Sequence, residues 1–149
     1  MSLTTEEVAF LDNECEAVCG MLNDFDVLET KDLPADVWAF LRSNGFFALK
    51  IPKEWGGKGF STQAISAVLA KLGTRSSDLN STVAVPNSLG PGELLVRYGT
   101  AEQQAKFLPR LADGTLIPCF SLTGIHSGSD ATSLIGSFGT VERDPATGE

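Results

Sequence analysis

The sequence predicts a mainly α-helical fold, a bundle of about four to six helices followed by the first strands of a β-domain. Two capping boxes, Thr4-x-x-Glu7 and Thr100-x-x-Gln103, each mark a helix start, because both side chains satisfy free backbone N–H groups. Apolar residues then recur every three or four positions, as on the buried face of a helix. The period changes at 118–123, where an apolar run ends in a hydroxyl and a loop of small residues follows, which is typical of a strand and a turn.

The first helix is predicted to begin after Thr4 and to bury one apolar stripe. Leu3 and Val8 stand at the two positions of a hydrophobic staple, which fixes how the chain enters a helix. Steps of three and four residues place the members of the stripe on one face. These members are Val8, Leu11, Cys15, Val18, Leu22 and Phe25.

Later helices are bounded by proline, glycine and hydroxyl residues, which cap or stop helices. The run 82–85 fits either a strand or a buried helix, and Pro86 interrupts it. The other predicted helices run from Pro34 to Gly45, from a Ser61 or Thr62 cap to Gly73, from Pro91 to Gly99, and from Ala101 to about Leu111.

The glycine-rich segment 54–60 is either a phosphate-binding loop or a structural turn. A phosphate-binding loop ends in Gly-Lys followed by Ser or Thr. Here Gly59 follows Lys58. The segment is therefore interpreted as a turn between helices.

Composition narrows the class of protein. The 149 residues carry a formal charge of −8, so no nucleic-acid partner is expected, because such binding requires clustered Lys and Arg. Neither a membrane span nor a signal peptide is predicted, which favours a cytoplasmic protein and leaves open membrane association of a longer polypeptide. Cys15 and Cys19 are interpreted as buried reduced thiols, and no metal site is expected, since no other Cys or His lies nearby.

The small-residue loop 127–130 has two interpretations. Gly128 adds no Cβ and Ser129 adds one donor and acceptor, so a ligand could approach the backbone closely. Gly, Ser and Asp also dominate ordinary surface loops. Taken alone, the loop favours the ordinary interpretation, and the single histidine, His126, is given no catalytic role.

Five ordered blocks resemble the N-terminal part of the FAD-dependent acyl-CoA dehydrogenases, and 85–95 resembles their long bacterial fatty-acid β-oxidation branch. The resemblance implies a helical N-terminal domain at residues 1–117 and the beginning of a middle β-domain, truncated, at 118–149. A C-terminal helical domain would follow. The blocks are Ile51-Pro52-Lys53-Glu54-Trp55-Gly56-Gly57, Tyr98-Gly99-Thr100-x-x-Gln103, Phe107-Leu108-Pro109-Arg110-Leu111-Ala112-x-Gly114, Phe120-Ser121-Leu122-Thr123 and Gly128-Ser129-Asp130-Ala131.

The resemblance also implies an activity, the α,β-dehydrogenation of a fatty acyl-CoA to the trans-2-enoyl-CoA with FAD as cofactor. The implied partners are an electron-transferring flavoprotein or equivalent acceptor and, for the full-length protein, further copies of itself. No catalytic residue is expected in this chain, because the general-base glutamate would lie beyond Glu149. A non-catalytic helical scaffold module and an acyl-CoA oxidase are the alternatives.

By the same resemblance, the FAD-binding residues would be Phe120, Leu122, Thr123, Gly128 and Ser129, and Ser129 would also border the acyl-CoA. The family has Thr-Glu-Pro where this chain has Thr123 followed by Gly124 and Ile125. Losing the proline removes a fixed φ, and glycine widens the conformations available to the loop.

Overall fold

The structure, a computed structural model, describes residues 2–119, 123–130, 132–133, 136, 138–140, 142–143 and 145–146. Its described part is mainly α-helical, as predicted. A π-helix, Leu11–Cys15, joins α1 to α2, and a second one, Val85–Leu89, joins α6 to α7. Short 3₁₀ turns lie at Phe46–Ala48 and Lys53–Trp55. The α-helices are α1 (Thr5–Phe10), α2 (Glu16–Met21), α3 (Asp24–Thr30), α4 (Ala35–Ser43), α5 (Thr62–Arg75), α6 (Ser77–Ala84), α7 (Pro91–Tyr98) and α8 (Ala101–Ala112).

Both capping boxes are confirmed. The Glu7 N–H donates to Thr4 Oγ1 at 3.3 Å and the Thr4 N–H donates to Glu7 Oε2 at 2.8 Å. Thr100 and Gln103 form the same pair of bonds at the start of α8, at 2.9 and 3.2 Å. Local signals therefore predicted these two helix starts correctly. The ambiguous run 82–85 is helical, at the end of α6 and the start of the second π-helix.

The predicted stripe of the first helix is wrong before Leu11 and correct from Leu11 to Leu22. Val8 is exposed, whereas Glu7 and Phe10 are buried. The first π-helix inserts one extra residue into the turn, so the buried face upstream moves back by one position. Phe25 does not extend the stripe either, since it is exposed on the separate helix α3, after the chain turns at Leu22.

Helix α5 runs two residues beyond the predicted stop at Gly73. A Cβ at Gly73 would lie 3.1 Å from Asn80 Nδ2 on α6. Gly73 therefore permits α5 and α6 to pack closely, and it does not end α5.

Two cations on α5 hold the first part of the chain in place. Lys71 Nζ donates to the Leu11 carbonyl at 2.8 Å, within the first π-helix. Arg75 donates through Nε to the Cys19 carbonyl at 3.1 Å and through a second nitrogen to the Leu22 carbonyl. These carbonyls lie where the regular α-helical ladder is interrupted or ends, so side chains replace the missing helical donors.

The core lies where the first helix and α5 meet the segment after α4. The ring centroid of Phe10 lies 4.8 Å from that of Phe46, with the rings tilted by 50°, and 5.3 Å from that of Phe60 in an edge-to-face contact. The segment 46–52 is largely buried, and it begins with the 3₁₀ turn Phe46–Ala48. Its residues anchor the glycine-rich turn that follows.

The glycine-rich segment is a structural turn, as interpreted. The N–H groups of Lys58, Gly59 and Phe60 donate back to the carbonyls of residues 48, 51 and 49, at 2.8–2.9 Å. These N–H groups are therefore not available to a phosphate. A Cβ at Gly57 would lie 2.0 Å from the Ile51 carbonyl oxygen, so only glycine permits this close approach.

The buried carboxylate of Glu7 links the start of α1 to the start of α5. Its Oε1 accepts from the Ser61 N–H at 2.7 Å, while Ser61 itself caps α5. The Thr4 and Ser61 hydrogen bonds lower the pKa of Glu7 from 4.5 to about 2, against the opposing effect of burial. The carboxylate form is thus part of the folded structure.

We expect Glu7→Gln to lower the free energy of unfolding at pH 7 by about 2 kcal/mol, because one charged acceptor of two backbone N–H groups is lost. The folded pKa lies below the unfolded one, so this stabilisation is complete above about pH 4.5 and is lost as the pH falls towards 2. Urea unfolding at several pH values measures it. Glu6→Gln, which removes an exposed partner of Lys53, is the control and should cost less than about 0.5 kcal/mol. Parallel pH profiles for the wild type and Glu7→Gln would contradict this role.

The structure contains no described strand after α8. An isolated antiparallel bridge joins Gly124 to Ser127, and part of the predicted strand, at 120–122, lies outside the described residues. The division into domains at 117 and 118 therefore stays a prediction. Among the described helices, none combines the length and the hydropathy that crossing a bilayer demands.

Candidate functional site

The loop that begins at Thr123 is closed by a pair of backbone hydrogen bonds. The Gly124 N–H donates to the Ser127 carbonyl at 2.9 Å, and the Ser127 N–H donates back at 3.3 Å. Ile125 and His126 form the exposed turn between them. The loop thus has a defined shape although it lacks the proline of the family pattern.

The predicted site residues on this loop are exposed. Neither the Thr123 hydroxyl nor the Ser129 hydroxyl bonds to another described residue, and a Cβ at Gly128 would meet nothing within 4 Å. Packing therefore does not explain the glycine, and both hydroxyls are free to donate to a ligand. Phe120 and Leu122, the other two predicted residues, lie outside the described residues.

Asp130 orders the end of the loop. Its Oδ1 accepts from the Thr132 N–H at 3.1 Å and from the Thr132 hydroxyl at 2.7 Å, and its Oδ2 accepts from the Ser133 hydroxyl at 2.5 Å. These bonds, that from the Ser133 hydroxyl first, hold the pKa of Asp130 below its ordinary value. The carboxylate is ionised at neutral pH and is held by Thr132 and Ser133.

An apolar groove of about 400 Å³ lies beside the segment that leads into this loop. Leu116 is held against α8, because its N–H donates to the Arg110 carbonyl at 2.9 Å. A groove of this kind can receive an apolar group. Sequence reasoning missed it, because its walls come from α7, α8 and the exit segment. The lining residues are Pro91, Leu95, Phe107, Leu111, Leu116, Ile117 and Pro118.

Asn87, in the second π-helix, is buried and fixes the direction of the chain before α7. Its Nδ2 donates to the Phe46 and Val83 carbonyls at 2.6 and 2.8 Å. Its Oδ1 accepts from the N–H groups of Leu49, at 2.8 Å, and Lys50, at 3.4 Å. One side chain thereby ties the π-helix to the buried segment after α4. The interruption predicted at Pro86 is a π-helical turn and not a break in the helix.

Residues 4–115 match the family described as acyl-CoA dehydrogenase, N-terminal domain. This match covers most of the chain and all eight α-helices of the part that the structure describes. The chain therefore belongs to the acyl-CoA dehydrogenase family.

Individual relatives agree with this assignment. The chain is 40% identical over 112 residues to a probable acyl-CoA dehydrogenase, FadE10, of Mycobacterium tuberculosis, covering 74% of this chain and 17% of the relative. It is 30% identical over 138 residues to the human mitochondrial very long-chain specific acyl-CoA dehydrogenase, covering 89% and 21%. It is also 32% identical over 126 residues to a 3-(aryl)acrylate reductase of Clostridium sporogenes, covering 84% and 32%. The chain thus spans a third or less of the length of these relatives.

Proposed function

We propose that this chain is the N-terminal part of a longer cytoplasmic flavoenzyme of fatty-acid β-oxidation, which converts a fatty acyl-CoA to its trans-2-enoyl-CoA. The observation that carries the proposal is the family match over residues 4–115. Two relatives whose names specify acyl-CoA dehydrogenases support it. An electron-transferring flavoprotein or an equivalent acceptor, and assembly of the longer protein with itself, are part of the same proposal.

The proposed reaction removes a proton from the carbon next to a thioester carbonyl, which is a weak acid. A base must therefore lie within hydrogen-bond reach of that proton, in a dry site that raises its pKa. No residue of this chain is assigned that task. The proposal places the base in a longer polypeptide, beyond Glu149.

The FAD cofactor supplies the hydride acceptor when it is bound. We assign its contacts in this chain to Phe120, Leu122, Thr123, Gly128 and Ser129. The free Thr123 hydroxyl suits a hydrogen bond to the polar edge of the ring system. The Ser129 hydroxyl and the open backbone at Gly128 suit an anionic pyrophosphate, because hydroxyl and N–H donors bond strongly to charged oxygens.

The Gly124–Ser127 bridge supports this assignment despite the departure from the family pattern. A proline would restrict the loop through its φ angle. Here two backbone hydrogen bonds restrict the same turn. We therefore propose that the loop keeps its cofactor-binding shape without the proline.

We expect Thr123→Val and Ser129→Ala each to weaken FAD retention in the longer polypeptide, by about 1–3 kcal/mol, because each removes a donor to a buried polar group of the ligand. The ratio of flavin to protein absorbance after dialysis measures retention. Thr74→Val and Ser77→Ala, which remove hydroxyls at the α5–α6 junction, are the controls. Unchanged flavin content in both loop variants would remove the role assigned to these hydroxyls.

One observation favours a second candidate, reduction of an α,β-unsaturated acyl compound. The relative named 3-(aryl)acrylate reductase is as similar to this chain as the human dehydrogenase is. An enzyme of the same fold would then catalyse the reverse reaction, in which the α,β double bond is reduced. Incubating the longer polypeptide with a saturated or an unsaturated acyl-CoA, and identifying the product, separates the two directions. The scaffold module and the acyl-CoA oxidase remain alternatives, and oxygen uptake distinguishes the oxidase.

A further inference from the structure

Helix α3 carries two large apolar side chains on its solvent face. Phe25 is 79% exposed and Leu28 is 58% exposed. They lie three residues apart and therefore share one face of the helix. Val27, next to Leu28 in the helix, is buried in the core. The exposed pair is thus not needed to attach α3 to the rest of the fold.

A cavity of about 340 Å³ opens beside Leu28. Leu28 forms part of its wall, together with Trp38 of α4 and Thr82 of α6. Asp32 stiffens the rim, because its Oδ1 accepts from the Trp38 indole N–H at 3.0 Å and from the Leu33 N–H at 2.8 Å. The space is large enough for one bulky apolar side chain from outside.

The surroundings of the cavity are acidic. In the described part of the chain, five carboxylates on or near α3 and at the start of α6 form no ion pair. Lys31 is the one cation in the wall of the cavity. A second copy of this chain would bring the same charges and be repelled, whereas a basic surface would be attracted. The five carboxylates belong to Asp26, Glu29, Asp32, Asp36 and Asp78.

We propose that this α3 face, formed by Phe25, Leu28 and the adjacent cavity, docks a basic amphipathic helix of a partner protein. A large apolar side chain of that helix enters the cavity, and its Lys and Arg side chains face the carboxylates. The apolar anchor provides the binding energy, and the charges provide the selection of the partner. This inference is independent of the proposed function, since it involves no residue of the 123–130 loop.

Helix α7 offers a matched control. Leu94 and Tyr98 are 59% and 78% exposed, nearly the same fractions as Leu28 and Phe25, and also share one helix face. However, Glu93 on α7 is paired with Arg97 and Lys50, so this face lacks an acidic excess. Comparing the two faces distinguishes specific docking from nonspecific binding by exposed apolar side chains.

The test uses this chain and two labelled synthetic helices, one built from leucine and lysine and one from leucine and glutamate, with binding followed by fluorescence anisotropy. We expect the lysine helix to bind more tightly than the glutamate helix, and less tightly as salt is raised. The double variant Phe25→Ser/Leu28→Ser should weaken that binding by about tenfold or more, and Leu94→Ser/Tyr98→Ser should leave it unchanged. Asp26→Asn/Glu29→Gln should reduce the salt dependence.

Three outcomes would overturn the proposal. One is equal binding of the two helices, and another is equal weakening by the two serine variants. The third is a concentration-dependent dimer, detected by sedimentation, that Phe25→Ser/Leu28→Ser abolishes, since a second copy would then be the occupant. Circular dichroism of each variant verifies that loss of binding does not arise from unfolding.

Discussion

Gly57→Ala is expected to lower the free energy of unfolding by about 4 kcal/mol, among the largest effects of a single substitution in this chain. The added Cβ would lie 2.0 Å from the Ile51 carbonyl oxygen and 2.5 Å from its carbon. Both are backbone atoms and cannot rotate away. The turn would have to open, which would break the backbone bonds that Lys58 and Phe60 donate to the buried segment after α4.

Gly20→Ala is the matched control for this prediction. Gly20 lies on the exposed side of α2, and a Cβ there would meet nothing within 4 Å. Alanine costs less conformational entropy than glycine in a helix, so this variant should be more stable by about 0.5–1 kcal/mol. Urea unfolding measures both. Equal effects of the two substitutions would mean that the close approach at Gly57 is not what requires glycine.

The second large effect is expected at Asn87. Asn87→Leu keeps the volume but removes four hydrogen bonds to backbone groups, leaving buried carbonyls and N–H groups unpaired. Such unpaired groups cost about 1–3 kcal/mol each before relaxation, so we expect a loss of about 3–5 kcal/mol in total. The measurement is the midpoint and slope of urea unfolding.

Ser88→Ala is the control for Asn87, because the neighbouring hydroxyl is exposed and bonds only to the Ala84 carbonyl. It should change stability by less than about 0.5 kcal/mol. A loss at Asn87 no larger than that at Ser88 would show that the π-helix is held by other contacts.

The helices could be predicted where their signals are local. Capping boxes at Thr4 and Thr100 act over three residues, and the proline at the start of α7 acts on its own backbone. The existence of these helices, and the mainly α class, followed from such signals.

Long-range contacts explain what the sequence could not predict. Glu7 was predicted only as a member of the capping box, and its burial was not predicted, because its other partner, Ser61, is 54 residues away. The first π-helix shifted the buried face by one residue, and one of the donors that supports it is Lys71, 60 residues away. An analysis that assumes a constant helical period cannot predict such a one-residue shift of the buried face.

For the candidate site, the residue types predicted a loop at 127–130, and the resemblance to the family predicted that this loop binds FAD. The open backbone at Gly128 and the free hydroxyls of Thr123 and Ser129 agree with the predicted use, but they do not test it. The apolar groove beside the exit segment was not predictable, because residues from three separate segments form it. Our proposal assigns part of a cofactor site to this chain and places the catalytic base in a longer polypeptide.

The most direct test of the proposed function is the flavin spectrum of the purified longer polypeptide that contains this chain, recorded without oxygen before and after adding palmitoyl-CoA. The proposal predicts a yellow protein whose flavin absorbance is bleached by the acyl-CoA, with trans-2-enoyl-CoA as the product. A colourless protein that neither takes up added FAD nor responds to palmitoyl-CoA would contradict it.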